Sequence, residues 1–441
     1  MDTFSIIIAV SAIIILSFFF NIFSARTKIP SVLLLMGLGV GLQEWITDSE
    51  KQGLGEVLPI LGNVGLIMIV LEAALELELE RKKLGVILKS FAVATITLAA
   101  SSIILAYLIQ YLLPAHPPFI KCLVYAVPLS IMSSAIIIPS VASLSEQKKE
   151  FMVYESTFSD ILGIMYFYFL VGSKPQDSTI EVIGSIAGSI AITLLLAGAV
   201  AYGLVYLFQH LKTQVKLFLI IAVLMLMYGI GKYYHLSSLI IILAFGLVLN
   251  NTNVFFRGRL NKYVNEEATK PIMHDFHTLT LETAFVIRTF FFVIFGITIQ
   301  LSSLIDQQVA IISFAIIGTL LLIRGLALFA VVKRNLFPKI LLAPRGLITI
   351  LLYFSILSEH QEFIIPSFDP GILLYTIIVT SIIMAAALVM DRGERIRDVV
   401  ISNIKDNLKD LVELPKNIMP FNNMHDERSE QKRENSEQGR E

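Results

Sequence analysis

The chain has 441 residues, of which 56% are hydrophobic and 16% are charged, and its formal net charge is -1. A water-soluble protein of this length carries far more charge, so the composition excludes that class. Apolar runs of about twenty residues recur along the whole chain, which predicts a polytopic α-helical membrane protein. Cys122 is the only cysteine, and this excludes a disulfide framework and a cysteine metal site.

The sequence contains about thirteen predicted transmembrane spans. In chain order they cover residues 4–24, 29–47, 57–78, 85–113, 119–144, 151–172, 179–209, 214–231, 236–250, 277–300, 303–332, 338–358 and 371–391. Lysine and arginine are concentrated in alternate short loops. The positive-inside rule then places the N-terminus outside and the C-terminus in the cytoplasm. Residues 1–391 form the predicted transmembrane domain.

Beyond the last span, residues 392–441 form a charged cytoplasmic tail. Ile396, Val400 and Ile404 recur at helical spacing and predict an amphipathic helix over about 395–412. The final stretch is too polar to pack and is predicted to be disordered. A regulatory ligand of the tail is left open.

Charged residues inside the spans are the first candidates for function, because an ionised group in hydrocarbon is costly. Glu155 and Asp160 share one apolar run. Asp160 lies about 13 Å from the cytoplasmic end of its span, near the middle of the core. Arg345 lies at about the depth of Glu155 and is a candidate partner for it.

A count of charges distinguishes the acids. The intramembrane set contains four acids and three arginines: Glu72, Glu155, Asp160, Glu282, Arg288, Arg324 and Arg345. A dry helix bundle needs its charges paired, so one carboxylate is left for a proton or a mobile cation. Depth and helical face select Asp160. Structural ion pairing is the alternative interpretation of the other charges.

Two spans are expected to be interrupted. The fifth contains Pro128 and Pro139, and the twelfth contains Pro344; proline removes a backbone donor and clashes with the preceding turn. Interrupted spans of opposite direction are typical of an inverted-repeat transporter with its site at the crossing. Carbonyls released beside Ser133 and Ser134 could then coordinate a small cation.

Five stretches in order carry a family resemblance: KIPSVLLLMGLGVGL, LEAALELELERKK, ESTFSD, RTFFFVIFGITI and PRGLITI. Together they resemble the monovalent cation:proton antiporter superfamily, closest to its electroneutral NhaP-like sodium/proton branch, over about residues 1–391. The resemblance implies the sodium/proton antiporter fold, which is all-α with inverted repeats and two interrupted crossing helices. It also implies a homodimer in the lipid bilayer of the cell membrane.

The resemblance also implies roles for particular residues. Asp160 corresponds to the acid that binds cation and proton in turn, and Ser156 to a second metal ligand from the same helix. Glu155 and Arg345 correspond to a buried ion pair that steadies the core. Arg288 falls in the helix where electrogenic relatives carry a lysine.

Two differences from the family pattern lie beside the key acid. Ser159 stands where the electroneutral pattern has asparagine, and SSAIIIP, which contains Ser133 and Ser134, replaces the Thr-Asp-Pro break. These three serines join Asp160 and Ser156 as candidate ligands of the cation. The choice among Na⁺, K⁺ and Li⁺ therefore stays open.

The expected function is electroneutral exchange of one Na⁺, K⁺ or Li⁺ for one proton by competition for Asp160, without a cofactor. The first alternative is a cation-coupled carrier of organic anions, in which Arg288 would be the cationic residue of the central cavity. The second is a non-transporting sensor or channel with the tail as its output. Neither an enzyme nor a nucleic-acid-binding protein is expected, since the sequence lacks zinc spacing, a P-loop and a nucleophile elbow.

Overall fold

The computed structural model describes residues 3–27, 29–77, 81–114, 116–172, 195–196, 198–200, 202–203, 216–233, 238–251, 266–299, 305–333 and 336–412. Within these ranges it contains thirteen α-helices and no strand. By its contacts the chain divides into two units, Met1–Leu388 and Val389–Glu441.

Most of the described helices correspond to predicted spans. The helices are α1 (Thr3–Thr27), α2 (Ser31–Leu42), α3 (Asp48–Glu76), α4 (Leu84–Leu112), α5 (Phe119–Ser130), α6 (Ser134–Ser140), α7 (Glu146–Gly172), α8 (Lys216–Tyr233), α9 (Ser238–Asn250), α10 (Glu266–Thr298), α11 (Gln307–Val331), α12 (Leu347–Glu359) and α13 (Gly371–Val412). Among the described residues, six helical stretches are long and apolar enough to cross a membrane, and four shorter helices are also apolar. The predicted all-α polytopic membrane fold is confirmed. The predicted span over 179–209 lies mostly outside the described residues.

α1 shows the kind of surface that a bilayer requires. Its large apolar side chains, among them Phe4, Phe18 and Phe19, are exposed. Water would penalise this face, whereas lipid tails accept it. A helix satisfies its own backbone hydrogen bonds, so the segment needs no polar partner in hydrocarbon.

The helices of the first unit pack in two groups. α4 packs against α5, α7 and α11, while α10 packs against α2 and α3, and α3 also packs against α9. The α2–α10 contact is very close, because a Cβ atom added to Gly39 would overlap the carbonyl oxygen of Val293. The two groups meet where α3 lies against α7 and α12.

Both predicted interruptions are present. The helix that begins at Phe119 stops at Ser130, and α6 begins at Ser134 after an extended link. Residues 342–346 are likewise non-helical and lead into α12. The predicted start of the twelfth span at 338 is wrong, since the chain forms turns and an extended segment there until α12 begins. Pro344 explains this difference, because it would lie in the interior of a helix from 338 and lacks the N–H needed there.

In the second unit, the described residues 389–412 are helical throughout. They include the tail helix predicted over 395–412. The end predicted to be disordered, 413–441, lies outside the described residues.

Candidate functional site

The two interrupted segments contact each other directly. The backbone N–H of Ser133 donates to the carbonyl oxygen of Pro344 at 3.0 Å. The hydroxyl of Thr349 donates to the carbonyl oxygen of Pro128 at 2.9 Å. The backbone groups at the two breaks are thus bonded partly by the other span, which fixes their crossing. Pro128 and Pro139 lie inside α5 and α6, on either side of the break at 131–133.

Two glycines make this crossing sterically possible. A Cβ atom on Gly346 would lie 2.6 Å from Ser133 Oγ and 2.9 Å from Ile136 Cδ1. A Cβ atom on Gly163 would overlap the side chain of Ile131. The sequence analysis did not identify Gly163, whose only signal is a glycine about one helical turn after Asp160.

Asp160, a residue of α7, lies beside the first residue of α6 and is only 2% exposed. Its Oδ2 accepts a hydrogen bond from the backbone N–H of Ser134 at 3.1 Å. Ser134 is the first residue of α6, so the carboxylate lies at the positive end of that helix dipole. Its Oδ1 has no hydrogen-bond partner among the described residues.

The predicted serines surround Asp160 in different ways. Ser159 Oγ accepts from the backbone N–H of Met132 at 2.9 Å, inside the link between α5 and α6. Ser156 is fully buried one turn before Asp160, and its hydroxyl donates to the Val153 carbonyl at 3.1 Å. The fold therefore brings Ser133, Ser134 and Ser159 to the break in α5–α6. It leaves the lone pairs of Ser156 available as acceptors.

The predicted ion pair between Glu155 and Arg345 is wrong. Glu155 accepts hydrogen bonds from Arg324, at 2.6 Å from Nη1 to Oε1 and at 3.0 Å from Nη2 to Oε2. Arg324 Nε also donates to the carbonyl oxygen of Lys339 at 2.9 Å. This bidentate pair joins α7 to α11, and both side chains are almost completely buried.

Arg345 has a different set of contacts. Its Nε donates to the carbonyl oxygen of Leu129 at 2.8 Å, and its Nη1 donates to the carbonyl oxygen of Ala343. Leu129 is in the last turn of α5, so the guanidinium compensates the negative end of that helix dipole. The matched depth of Arg345 and Glu155 assumed a continuous helix from 338, and the non-helical segment removes that assumption.

The remaining predicted charges divide into a pair and an exposed acid. Arg288 Nη2 lies 3.1 Å from Glu72 Oε1 and joins α10 to α3. Glu282 is exposed, so its assignment to the buried set is wrong; six residues before Arg288, it lies on another face of α10. Two further carboxylate oxygens, Glu72 Oε2 and Glu76 Oε2, have no hydrogen-bond partner in the part of the chain that the structure describes.

Among the four predicted intramembrane acids, these contacts leave Asp160 fully buried without a counter-ion in the described part of the chain. Glu155 is paired with Arg324, whereas no described lysine or arginine lies within ion-pair distance of Asp160. The described residues hold no cluster of three histidine, cysteine or acidic side chains that could bind a metal. One carboxylate among neutral hydroxyl and carbonyl oxygens suits a hard ion of single charge rather than a divalent metal.

A buried acid at two crossing, interrupted helices is the arrangement of an ion-coupled secondary transporter. The family model described as "Sodium/hydrogen exchanger, transmembrane" matches residues 10–390, and the chain belongs to this family. It is a multi-pass membrane protein and a cation/proton antiporter, for which Na⁺ and H⁺ are substrates rather than cofactors. The family resemblance drawn from the sequence is confirmed.

Two solved structures share the fold. Both are of the sodium proton antiporter MjNhaP1 from Methanocaldococcus jannaschii. The structure at pH 8 has a TM-score of 0.64 and 20% identity and covers 89% of this chain and 97% of that one. The electron-microscopy structure has a TM-score of 0.61 and 19% identity and covers 89% and 96%. A comparison with curated proteins found no match.

Proposed function

We propose that this chain exchanges one Na⁺ for one proton, electroneutrally, by competition of the two ions for Asp160, with K⁺ and Li⁺ as the other candidate cations. One observation carries the proposal. Asp160 is 2% exposed, and one of its carboxylate oxygens has no hydrogen-bond partner among the described residues. No described lysine or arginine lies within ion-pair distance of it.

The exchange follows from the cost of burying charge. An empty, ionised Asp160 is unfavourable in a dry site, and one hydrogen bond from the Ser134 amide offsets only part of that cost. A proton or a monovalent cation each neutralises the carboxylate, whereas both together would overfill the site. The site therefore changes from one face of the membrane to the other only when it holds a proton or a cation. In both cases the carboxylate is neutralised, so neither change moves net charge.

The shell around a bound cation would consist of neutral oxygens. Asp160 and Ser156 supply the metal ligands, while Ser133, Ser134 and Ser159 line the same break, with water completing the shell. Glu155 with Arg324, Glu72 with Arg288, and Arg345 on its carbonyls form the supporting framework. Because their charges are compensated, these groups do not compete for the transported cation.

The setting of the protein belongs to the same proposal. We place it in the cell membrane as a homodimer, with the N-terminus outside and the C-terminus in the cytoplasm. The distribution of lysine and arginine among the loops supports this orientation. We propose no enzymatic activity for the chain and no nucleic-acid partner.

The alternative of an organic-anion carrier needs a cation that is free to bind the anion. Arg288 pairs with Glu72, Arg324 pairs with Glu155, and Arg345 donates to carbonyl oxygens. All three intramembrane arginines of the described segments are thus engaged. This makes an anion site less favourable than a cation site.

The proposal is tested by proton flux in reconstituted proteoliposomes after Na⁺, K⁺ or Li⁺ is added, with the membrane potential clamped at zero. Asp160→Asn should abolish cation-driven proton movement, because the amide cannot exchange a proton for a cation. Glu282→Gln, which neutralises an exposed acid of another span, is the matched control and should retain it. If Asp160→Asn showed cation-driven proton flux at the level of the native protein, the proposal would be refuted. The absence of any cation-driven flux in the native protein would refute it as well.

A further inference from the structure

A small cleft lies between α3, α7 and α12, at the boundary of the two helix groups. It measures about 290 Å³ including its open mouth, and its enclosed part has room for about one water molecule. Its lining includes four polar side chains: Asn63, Tyr168, Ser355 and Ser358. Apolar neighbours, Leu66 and Phe354 among them, complete the wall.

Ser355 is the least satisfied group in this wall. It is 9% exposed, and its hydroxyl oxygen has no well-aligned hydrogen bond within the described residues, although the Tyr168 hydroxyl lies close enough for a weak one. Burying a hydroxyl without a partner costs free energy. The arrangement is explained if the cleft holds a polar occupant, a water or an ion, during part of the transport cycle.

The cleft lies beyond Asp160 on the side away from the basic loops. Tyr168 follows Asp160 by eight residues on α7, and Ser355 follows Leu347, where α12 leaves the crossing, by eight residues. At about 1.5 Å per residue, both helices carry these side chains about 12 Å from the crossing. Residues from α7 and α12 therefore meet at one level, above the acid.

We infer that this cleft is a second cation site, which takes a monovalent cation on its route between Asp160 and the face opposite the basic loops. The amide oxygen of Asn63 and the hydroxyls of Tyr168, Ser355 and Ser358 are neutral oxygen donors that replace water around a hard cation. Without a carboxylate the site holds the ion weakly and releases it readily, as conduction along a route requires. This inference rests on the proposed exchange at Asp160.

The first test measures the KM for Na⁺ separately from the two faces of oriented proteoliposomes. Asn63→Leu and Ser355→Ala should raise the KM from the cleft side roughly tenfold, which is the effect of losing one hydrogen bond to a charged group. The KM from the basic-loop side and the maximal rate should stay unchanged. Ser313→Ala is the matched control, because that buried hydroxyl donates only to its own helix. Equal changes on both sides, or no change, would overturn the inference.

The second test measures access to the cleft and does not depend on transport. In a Cys122→Ala background, which has no other cysteine, Ser355→Cys is compared with Ser313→Cys. A membrane-impermeant cationic thiol reagent should label the former at least tenfold faster, only from the cleft side, and more slowly when Na⁺ is present. Labelling no faster than Ser313→Cys, or unaffected by Na⁺, would overturn the cleft site alone. Flux that survives Asp160→Asn would instead overturn the proposed function.

Discussion

Arg324 donates two hydrogen bonds to the Glu155 carboxylate, from Nη1 to Oε1 at 2.6 Å and from Nη2 to Oε2 at 3.0 Å. Its Nε donates to the Lys339 carbonyl, so one guanidinium ties α7, α11 and the segment before α12 together. Two of these pieces belong to the crossing, since α7 carries Asp160 and the segment before α12 contains Pro344, whose carbonyl accepts from Ser133. The pair therefore holds the frame in which Asp160 is positioned.

Breaking this pair on one side should destabilise the protein. Glu155→Gln or Arg324→Met leaves the partner charge buried and uncompensated, at a cost of about 3–5 kcal/mol. The double variant Glu155→Met with Arg324→Met should recover part of that loss, because no isolated charge remains. Thermal unfolding in detergent measures the effect. Single variants as stable as the native protein would show that the pair is not a structural element.

The hydroxyl of Ser159 should matter through the backbone that it satisfies. Ser159→Ala leaves the Met132 N–H without its acceptor, at a cost of about 1–3 kcal/mol for a buried donor. Ser159→Thr keeps an acceptor and should lose less. Unfolding free energy and flux are measured together, with Ser313→Ala as control. A loss no larger than that of the control would contradict the assigned role of Ser159.

Gly346 should not tolerate a side chain. In Gly346→Ala the new Cβ would stand 2.6 Å from Ser133 Oγ, which forces the two crossing segments apart and should abolish most of the flux. Adding Ser133→Gly removes the obstructing Oγ and Cβ of Ser133 and leaves only the flexible end of Ile136 in the way, so it should restore part of the flux. Gly318→Ala, whose Cβ meets no described atom within 4 Å, is the control. Normal flux in Gly346→Ala would mean that the close crossing is not needed for transport.

The helical spans and both interruptions were predictable because they depend on local properties of the chain. Apolar length fixes a span, and Pro344 disrupts a helix by its own chemistry. Pro128 and Pro139 marked the interrupted span, although both lie inside helices and the break falls between them at 131–133. Asp160 could be selected for a similar reason, since an acid in the middle of an apolar run is costly wherever its neighbours lie. None of these conclusions required knowing which helices are adjacent.

The pairing of charges was not predictable in the same way. Depth along a span does not give the direction in which a side chain points, so Arg345 and Arg324 could not be distinguished as partners of Glu155. The turns before α12 also changed the depth of Arg345. Glu282 was counted among the intramembrane acids that need a partner from its sequence position, whereas its place on the helix surface exposes it. Tertiary packing decides these features.

Competition for one carboxylate predicts how pH and cation concentration interact. Flux should fall as pH is lowered, because protons then occupy Asp160 on both sides of the membrane. For one-to-one competition, a tenfold rise in Na⁺ should move this acid limb about one pH unit lower. Initial rates measured over a grid of pH and Na⁺ test this. An acid limb that stays at one pH for all Na⁺ concentrations would place the proton elsewhere.

Proton release on cation binding tests the competition at Asp160 most directly. Purified protein is titrated with Na⁺ on the acid limb, in buffers of different ionisation enthalpy, so that calorimetry counts the protons released per bound cation. We expect about one proton per cation for the native chain, and neither binding nor release for Asp160→Asn. Glu282→Gln should behave as the native chain does. Na⁺ binding without proton release, or unchanged release in Asp160→Asn, would contradict exchange at this carboxylate.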